Sequence, residues 1–357
     1  MSRHVLFAIH GMGTHDATWA TPGVQVLRAA FREYLATSTL VFDDVFEIVP
    51  LVYDDRLQSI RQRANADFAA FKAALLAQHD PATDNVTRES LQIQLDKYES
   101  SLGLAGDEFT FTHLLDVILY RFSNTTRMAI DVSVAEQLTD RLKQPHLSWS
   151  VMAHSLGSSV IHNTLNSLYN TGLRNDAGEL IGPLSAVESR CTSLAMIANV
   201  SRVLQREDAK VYETAVAPGS ALAGRLCAFY LNVRHKLDPF TKPKPFNPDL
   251  WPDANTFSRE RYQHIRPSHI AFKEDELDRV HAFDHYLLNP RVHVPIFRSI
   301  LGRDIVGDDE YRTAKSRFDT EIERATIARI RDRLESRLPG PTGTWRRLLS
   351  VIKGFLA

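Results

Sequence analysis

The chain has 357 residues with 42 basic and 43 acidic side chains, a formal net charge of −1, and 44% hydrophobic residues. These values are ordinary for a folded protein with a large core, and they exclude collagen-like and disordered classes, while two cysteines cannot form a disulfide framework. The balanced charge gives no general attraction to nucleic acid, and no apolar run approaches the roughly 18 residues of a membrane-spanning helix. The first residues lack the apolar core of a signal peptide, so we expect a cytoplasmic protein without a nucleic-acid partner.

Short apolar runs alternate with stretches in which apolar residues recur at helical spacing. The runs predict buried strands at 5–9, 46–53, 147–153, 192–198 and 226–233, with a further short strand ending at 280. The helical spacing predicts helices at 19–36, 111–142, 156–169 and 291–301. This alternation predicts an α/β fold with a mostly parallel sheet of about six strands flanked by helices, and functional sites on such sheets lie at the carboxyl ends of the strands.

Two segments depart from this alternation and define the expected organisation of the chain. Residues 54–104 contain two helical stretches with one apolar face each. They form either a cap over the site or a helical pair packed at the sheet edge. Residues 303–357 follow the last predicted helix of the core and contain a long charged helix. We therefore expect an α/β core over 1–302, with a helical cap-like insertion at 54–104, and a C-terminal helical extension at 303–357.

The last part of that extension, 345–357, combines an apolar stripe with three basic residues and no acidic one. This pattern is typical of a helix docked on its own domain or of a helix that lies on a membrane surface. Docking is the favoured interpretation, because a chain with balanced charge rarely leaves so many large apolar side chains in water.

The motif Ala153-His154-Ser155-Leu156-Gly157 lies between a predicted strand and a predicted helix. A serine in such a strand-to-helix turn is held in a strained conformation that exposes its hydroxyl, and small residues two positions away allow close approach of the neighbouring backbone. The helix N-terminus also directs N–H groups at a developing oxyanion. The simpler interpretation is that Ser155 only caps a helix.

A second motif, His10-Gly11-Met12-Gly13, directly follows the first predicted strand. A glycine-rich turn there can direct the main-chain N–H of Met12, together with that of Leu156, at the oxygen of an attacked carbonyl. The alternatives are an ordinary turn at a strand end and a phosphate-binding loop, although the spacing of the glycines does not match the known phosphate-loop patterns. The pocket beside the nucleophile is expected to be lined by His10, Gly11, Gly13 and His154.

Together these two motifs resemble those of the α/β-hydrolase superfamily, in its lipase and esterase branches. The resemblance covers roughly residues 4–302, in the order strand, His-Gly loop, helix, strand, insertion, helix, strand and nucleophile turn. It implies a sheet shortened at the N-terminus, since the two strands that open many members of the family are missing. It also implies a Ser-His-Asp triad in which the acid and then the histidine follow the nucleophile along the chain.

The resemblance selects the acid and the base by their positions. Asp238 follows the predicted strand at 226–233 and is the expected acid, with Glu207 or Asp208 as the fallback. His281 is the expected base because it follows a short strand end, and His285, four residues closer to the last helix, is the alternative base.

The sequence therefore predicts a serine hydrolase that cleaves a carboxylic ester, of a small molecule or a lipid, through an acyl-enzyme intermediate. We expect no cofactor and no metal. An amidase, thioesterase or acyltransferase could use the same triad, and a hydrolase fold kept as a non-catalytic binding or regulatory module is the alternative of a different class. The sequence leaves the oligomeric state and the physiological substrate open.

Overall fold

A computed structural model describes most of the chain. The described residues are 3–12, 15–77, 119–144, 147–204, 215–235, 245–247, 262–265 and 281–337, with 89, 92, 93, 96, 116, 238, 241, 250 and 251.

The centre of the structure is a parallel sheet. In chain order its strands are β1 (His4–Ile9), β2 (Phe46–Leu51), β3 (Trp149–His154), β6 (Cys191–Ile197), β7 (Cys227–Val233) and the short edge strand β8 (Tyr262–Ile265). In space they are ordered β2-β1-β3-β6-β7-β8, and every pairing is parallel. A separate antiparallel hairpin pairs β4 (Leu173–Arg174) with β5 (Leu180–Ile181).

Five of the described α-helices precede the last strand along the chain, and three follow it. They are α1 (Thr21–Phe31), α2 (Phe42–Val45), α3 (Asp54–Ala77), α4 (Asn124–Leu142), α5 (Leu156–Asn170), α6 (Phe283–Leu288), α7 (Pro290–Leu301) and α8 (Asp308–Arg337). Helices α4 and α5 cover one face of the sheet, while α1, α6 and α7 cover the other. Among the described residues, no helix is both long enough and apolar enough to cross a membrane.

The two faces of the sheet account for the uninterrupted apolar runs in the sequence. In β1, Val5, Phe7 and Ile9 belong to the core beneath α4 and α5. Leu6 and Ala8 belong to the core beneath α1, α6 and α7. Because side chains alternate between the two faces of a strand and both faces are buried, nearly every position must be apolar.

The α/β fold with a parallel sheet is confirmed, with differences at several elements. The predicted helix at 111–142 is interrupted at Ser123, whose hydroxyl accepts a hydrogen bond from the N–H of Thr126 and caps the start of α4. The predicted helix at 19–36 ends at Phe31, and turns follow it. Strand β8 and the small hairpin were not predicted.

Several predicted segments fall partly or wholly outside the described residues. Of the insertion at 54–104, the structure describes α3 and a few later positions. Of the extension at 303–357, it describes a short 3-10 helix and then α8. The strand end expected before His281 and the amphipathic segment 345–357 lie outside the described residues, so their predicted roles remain predictions.

The strand register brings the carboxyl ends of four strands together. Ile9, at the end of β1, pairs with Leu51 of β2 on one side and with Ala153 of β3 on the other. Ala153 in turn pairs with Met196 of β6. Consequently the loop after β1, the residues after β2 and the turn after β3 meet at one edge of the sheet, where both sequence motifs are located.

Candidate active site

Ser155 occupies a strained turn between β3 and α5. Its backbone has φ 52° and ψ −124°, outside the regions that a serine ordinarily adopts. Such conformations cost about 1–3 kcal/mol and persist only where the surrounding structure enforces them. Here the N–H of Ser155 donates to the carbonyl of Ile197 at the end of β6, at 3.0 Å. The turn is therefore anchored to the neighbouring strand.

The residues after Ser155 hold the same turn in place. The hydroxyl of Ser158 donates to the carbonyl of Ser155 at 2.6 Å and accepts from the N–H of Val200 at 3.0 Å. Gly157 lies so close to the loop after β1 that a Cβ atom there would come within 2.2 Å of the carbonyl oxygen of His10. Glycine is thus required at position 157, which agrees with the small residue that the motif predicts there.

Three residues distant in sequence form a continuous chain of hydrogen bonds. The Nε2 atom of His281 lies 2.6 Å from the hydroxyl oxygen of Ser155. Its Nδ1 atom lies 2.7 Å from Oδ2 of Asp238. A carboxylate can only accept, so Nδ1 carries the imidazole proton and Nε2 is left to accept the proton of the serine hydroxyl. The structure therefore brings together the predicted nucleophile, base and acid.

Burial and hydrogen bonding define the environment of the carboxylate. Asp238 has no exposed surface, and a buried charge requires paired partners. Its Oδ2 atom accepts from His281 and also from the hydroxyl of Tyr286, at 2.7 Å. The Tyr286 hydroxyl accepts in turn from the N–H of His235 at 2.8 Å. Burial, followed by the charge of Asp238, raises the pKa of Tyr286 well above its usual value, so the phenol remains a donor.

His154 supports the backbone of the candidate base. Its Nε2 atom donates to the carbonyl of His281 at 2.6 Å. Burial, followed by the nearby His281, lowers the pKa of His154 to about 3, so the ring stays neutral near pH 7. His154 therefore holds a position and does not exchange protons in the neutral range.

The loop after β1 lies against the nucleophile. A Cβ atom at Gly11 would come within 2.8 Å of Cβ of Ser155, so the loop can pass here only with glycine. Met12 is buried beside it. Leu156 is the first residue of α5, where an N–H has no carbonyl partner within its own helix and the helix dipole is positive. The loop that carries Met12 and the helix that begins at Leu156 therefore both adjoin Ser155.

His10 lies behind this loop and is fully buried. Its Nδ1 atom lies 2.8 Å from the carbonyl of Gly11, and Nε2 accepts from the N–H of Tyr53 at 3.3 Å. Its ring stacks on that of Tyr53 with centroids 4.1 Å apart. Burial, followed by the nearby His15, lowers the pKa of His10 to about 3. Gly13, the other glycine of the motif, lies outside the described residues.

The alternative base and one further histidine, His293, lie on α6 and α7. His285 lies in α6, one turn beyond the segment that carries His281. His293 is buried and bonds the hydroxyl of Tyr34 and the carbonyl of Leu287. The fallback acids, Glu207 and Asp208, lie outside the described residues.

Sequence reasoning missed Tyr53 and Tyr286. Both are aromatic residues within apolar stretches, a pattern that ordinarily indicates core packing. The available signal was position: Tyr53 comes two residues after the end of β2, at the edge where the motifs meet, and Tyr286 directly follows His285, the alternative base.

Comparisons of the chain with protein-family models, with curated proteins and with solved structures found no match. Within the part of the chain that the structure describes, no group of three or more His, Cys, Asp or Glu side chains is arranged to hold a metal ion.

Proposed function

We propose that this protein is a serine hydrolase that cleaves carboxylic esters through an acyl-enzyme. One observation carries the proposal, namely the continuous hydrogen-bonded chain from Ser155 through His281 to Asp238. The strained turn at Ser155 adds to it, because strain of this kind is retained at sites that use it. A serine that merely caps a helix needs neither a histidine nor a buried carboxylate behind it.

The geometry supports a two-stage acyl transfer. Ser155 attacks the ester carbonyl while His281 Nε2 takes its proton, and the carbonyl oxygen becomes an oxyanion that the N–H groups of Met12 and Leu156 stabilise. The tetrahedral intermediate collapses, and the leaving alcohol departs with the proton from His281. Water then attacks the acyl-serine by the same route, releasing the acid and restoring the serine hydroxyl. Asp238 orients the imidazole and stabilises its charged form throughout.

An ester is proposed as substrate because the two motifs resemble the lipase and esterase branches of the α/β-hydrolase superfamily. The parallel sheet, with the candidate nucleophile after β3 and the candidate acid after β7, fits the shortened form that the resemblance implies. The same triad serves amidases, thioesterases and acyltransferases, so the leaving group must be determined by experiment.

A fluorophosphonate probe, which phosphonylates activated serines, tests the proposal. We expect covalent labelling of the wild type and none of Ser155→Ala. The matched control is Ser150→Ala, since Ser150 is a buried serine on the same strand, at its other end. Labelling of Ser155→Ala at the wild-type rate would contradict the role of Ser155 as the nucleophile. Failure of the wild type to label and to hydrolyse any acyl substrate would contradict the proposal and favour a non-catalytic binding module.

Paired substrates then identify the leaving group. The wild type is given an ester, a thioester and an anilide of the same acyl group at equal concentration, and kcat/KM is measured for each. We expect the ester to give the highest kcat/KM. An ester series of increasing acyl length distinguishes an esterase from a lipase-like enzyme.

A further inference from the structure

Three successive carbonyl groups of the loop after β1 accept hydrogen bonds from ring side chains. The single hydroxyl proton of Tyr53 is shared between the carbonyl oxygen of His10, at 2.9 Å, and that of Gly11, at 2.8 Å. The Gly11 carbonyl also accepts from Nδ1 of His10 at 2.8 Å. The Met12 carbonyl accepts from Nε2 of His15 at 2.9 Å. The oxygens of this loop are therefore held by side chains.

Peptide planarity converts this arrangement into a constraint on the N–H groups. In a trans peptide the C=O and the N–H point in opposite directions. The Gly11 carbonyl points at Tyr53, so the N–H of Met12 points away from Tyr53. Glycine adopts many backbone conformations at little cost, so the peptide between Gly11 and Met12 could otherwise rotate and present its oxygen in place of its N–H.

The protonation state of Tyr53 suits it to this task. The residue is fully buried, and burial, followed by the charges of Asp116 and Asp54, raises the pKa of Tyr53 well above its usual value. The hydroxyl thus remains a donor at any working pH. The Gly11 carbonyl, which accepts from both Tyr53 and His10, is polarised by two bonds, and such cooperativity strengthens the N–H of the same peptide as a donor.

We propose that Tyr53 is a positioning residue that locks the Gly11–Met12 peptide with its N–H toward the oxyanion formed at Ser155. This inference rests on the proposed hydrolase function. It assigns to Tyr53 an effect on the transition state alone, because its hydroxyl is engaged by the carbonyls of His10 and Gly11.

The test compares Tyr53→Phe with the wild type and with Tyr169→Phe. Tyr169 is the matched control because its hydroxyl also donates to a main-chain carbonyl, that of Ser189, at the far end of α5. Loss of one oxyanion donor costs about 10²–10³-fold in kcat, so a displaced donor should cost about 10- to 100-fold. We expect that loss in kcat for Tyr53→Phe, with KM within about twofold of the wild type, and no loss for Tyr169→Phe.

A transition-state analogue supplies a readout that a general loss of stability would not produce. A trifluoromethyl ketone adds to the serine and forms an oxyanion, so its affinity should fall by the same factor as kcat/KM in Tyr53→Phe. Affinity for an unreactive substrate analogue should not change. Rates are expressed per reactive serine, counted by titration with the fluorophosphonate. Unfolded protein in a preparation is then not counted and does not lower the measured kcat.

The outcomes separate the two claims. An active wild type with unchanged kcat and unchanged ketone affinity in Tyr53→Phe would overturn the role of Tyr53 and leave the hydrolase intact. Equal losses of ketone and substrate-analogue affinity would also overturn it. A wild type that neither labels nor hydrolyses would overturn the proposed function itself.

Discussion

Strand β3 carries a histidine–serine contact at each of its two ends. At the amino end, Nδ1 of His4 lies 2.8 Å from the hydroxyl of Ser148 and Nε2 lies 2.9 Å from that of Ser150. At the carboxyl end, His281 lies 2.6 Å from the hydroxyl of Ser155 and 2.7 Å from the carboxylate of Asp238. The distances are similar, but among the described residues only the carboxyl end combines the serine with a carboxylate bonded to the same histidine.

The backbone also distinguishes the two ends. Ser150 lies within β3, at a shift in the register with β6, whereas Ser155 has a positive φ and begins a helix whose N-terminus favours negative charge. Under the proposed function, a histidine that bonds a serine is not enough to activate it. The carboxylate fixes the imidazole tautomer, the strained turn holds the buried hydroxyl of Ser155 against His281, and the helix and loop are proposed to supply donors for the oxyanion.

The largest expected effect comes from replacing each histidine in turn. His281→Gln should lower kcat by about 10³-fold or more, because the serine loses its base. His4→Gln should leave kcat within about twofold, although it removes buried hydrogen bonds and should lower the unfolding temperature. Steady-state kinetics on a p-nitrophenyl ester, with thermal unfolding measured in parallel, provides the comparison.

His285→Gln completes that set as the variant of the alternative base, and little loss of kcat is expected. A larger loss for His285→Gln than for His281→Gln would show that the histidine nearest Ser155 in the structure is not the base. A comparable loss of kcat for His4→Gln would remove the distinction between the two ends.

A smaller effect is expected at the second donor to the carboxylate. Tyr286→Phe removes the hydroxyl that donates to Oδ2 of Asp238, while Asp238 keeps its bond to His281. A hydrogen bond to a charged group contributes about 1.5–3 kcal/mol, and we expect kcat to fall about tenfold with KM little changed.

The matched control for this variant is Tyr34→Phe, which removes a buried hydroxyl that bonds His293 and does not touch Asp238. If the two variants lost activity and stability in equal measure, Tyr286 would have only a structural role.

The smallest expected effect concerns the lowered pKa of the buried histidines at the two ends of β3. Burial lowers the pKa of His4 to about 4, and burial followed by His281 lowers that of His154 to about 3. Each folded-state pKa lies below the ordinary value of 6.5, so the unfolded chain binds more protons below about pH 6.5. The free energy of unfolding should therefore fall as pH drops below 6.5, by at most about 1.4 kcal/mol per pH unit for each histidine.

His162 allows this prediction to be tested away from both ends of β3. It is buried in α5, its pKa is lowered to about 4 by burial, and neither ring nitrogen has a hydrogen-bond partner among the described residues. The free energy of unfolding is measured by urea unfolding at pH 5 and pH 7. In His162→Leu it should fall less between pH 7 and pH 5 than in the wild type, because up to one proton fewer is taken up on unfolding. Asp131, whose pKa burial raises to about 7, contributes a slope of opposite sign between about pH 4 and pH 7 in both proteins. An unchanged slope would show that His162 does not titrate on unfolding.

Much of the fold could be predicted from the sequence, because strands buried on both faces leave long apolar runs. The central strands begin and end within about two residues of the predicted positions. Strand β8 escaped prediction because Tyr-Gln-His-Ile at 262–265 is neither apolar throughout nor clearly alternating. The interruption of the predicted helix 111–142 at Ser123 was missed because the apolar spacing continues past that residue. The only local sign is the hydroxyl of Ser123, which caps the start of α4.

The residues of the candidate site differ in how much information is needed to predict them. Local pattern alone indicated Ser155, since a small-residue motif between a strand and a helix constrains the backbone. Asp238 and His281 required the resemblance, because nothing local to either residue specifies a partner more than 40 positions away. Tyr53 and Tyr286 could not be predicted, because the role of a buried phenol depends on which carbonyl or carboxylate the folded chain places at its hydroxyl.

The most direct test of the central claim is the mass of the acyl-enzyme. The protein is mixed with a p-nitrophenyl ester, quenched with acid within the first turnover, digested and mapped by mass spectrometry. The expected result is one acyl group per chain on the peptide that contains Ser155, formed with a burst of one equivalent of p-nitrophenolate. Ester hydrolysis with the acyl group on another residue, or with no acyl-enzyme and no loss of activity in Ser155→Ala, would contradict it.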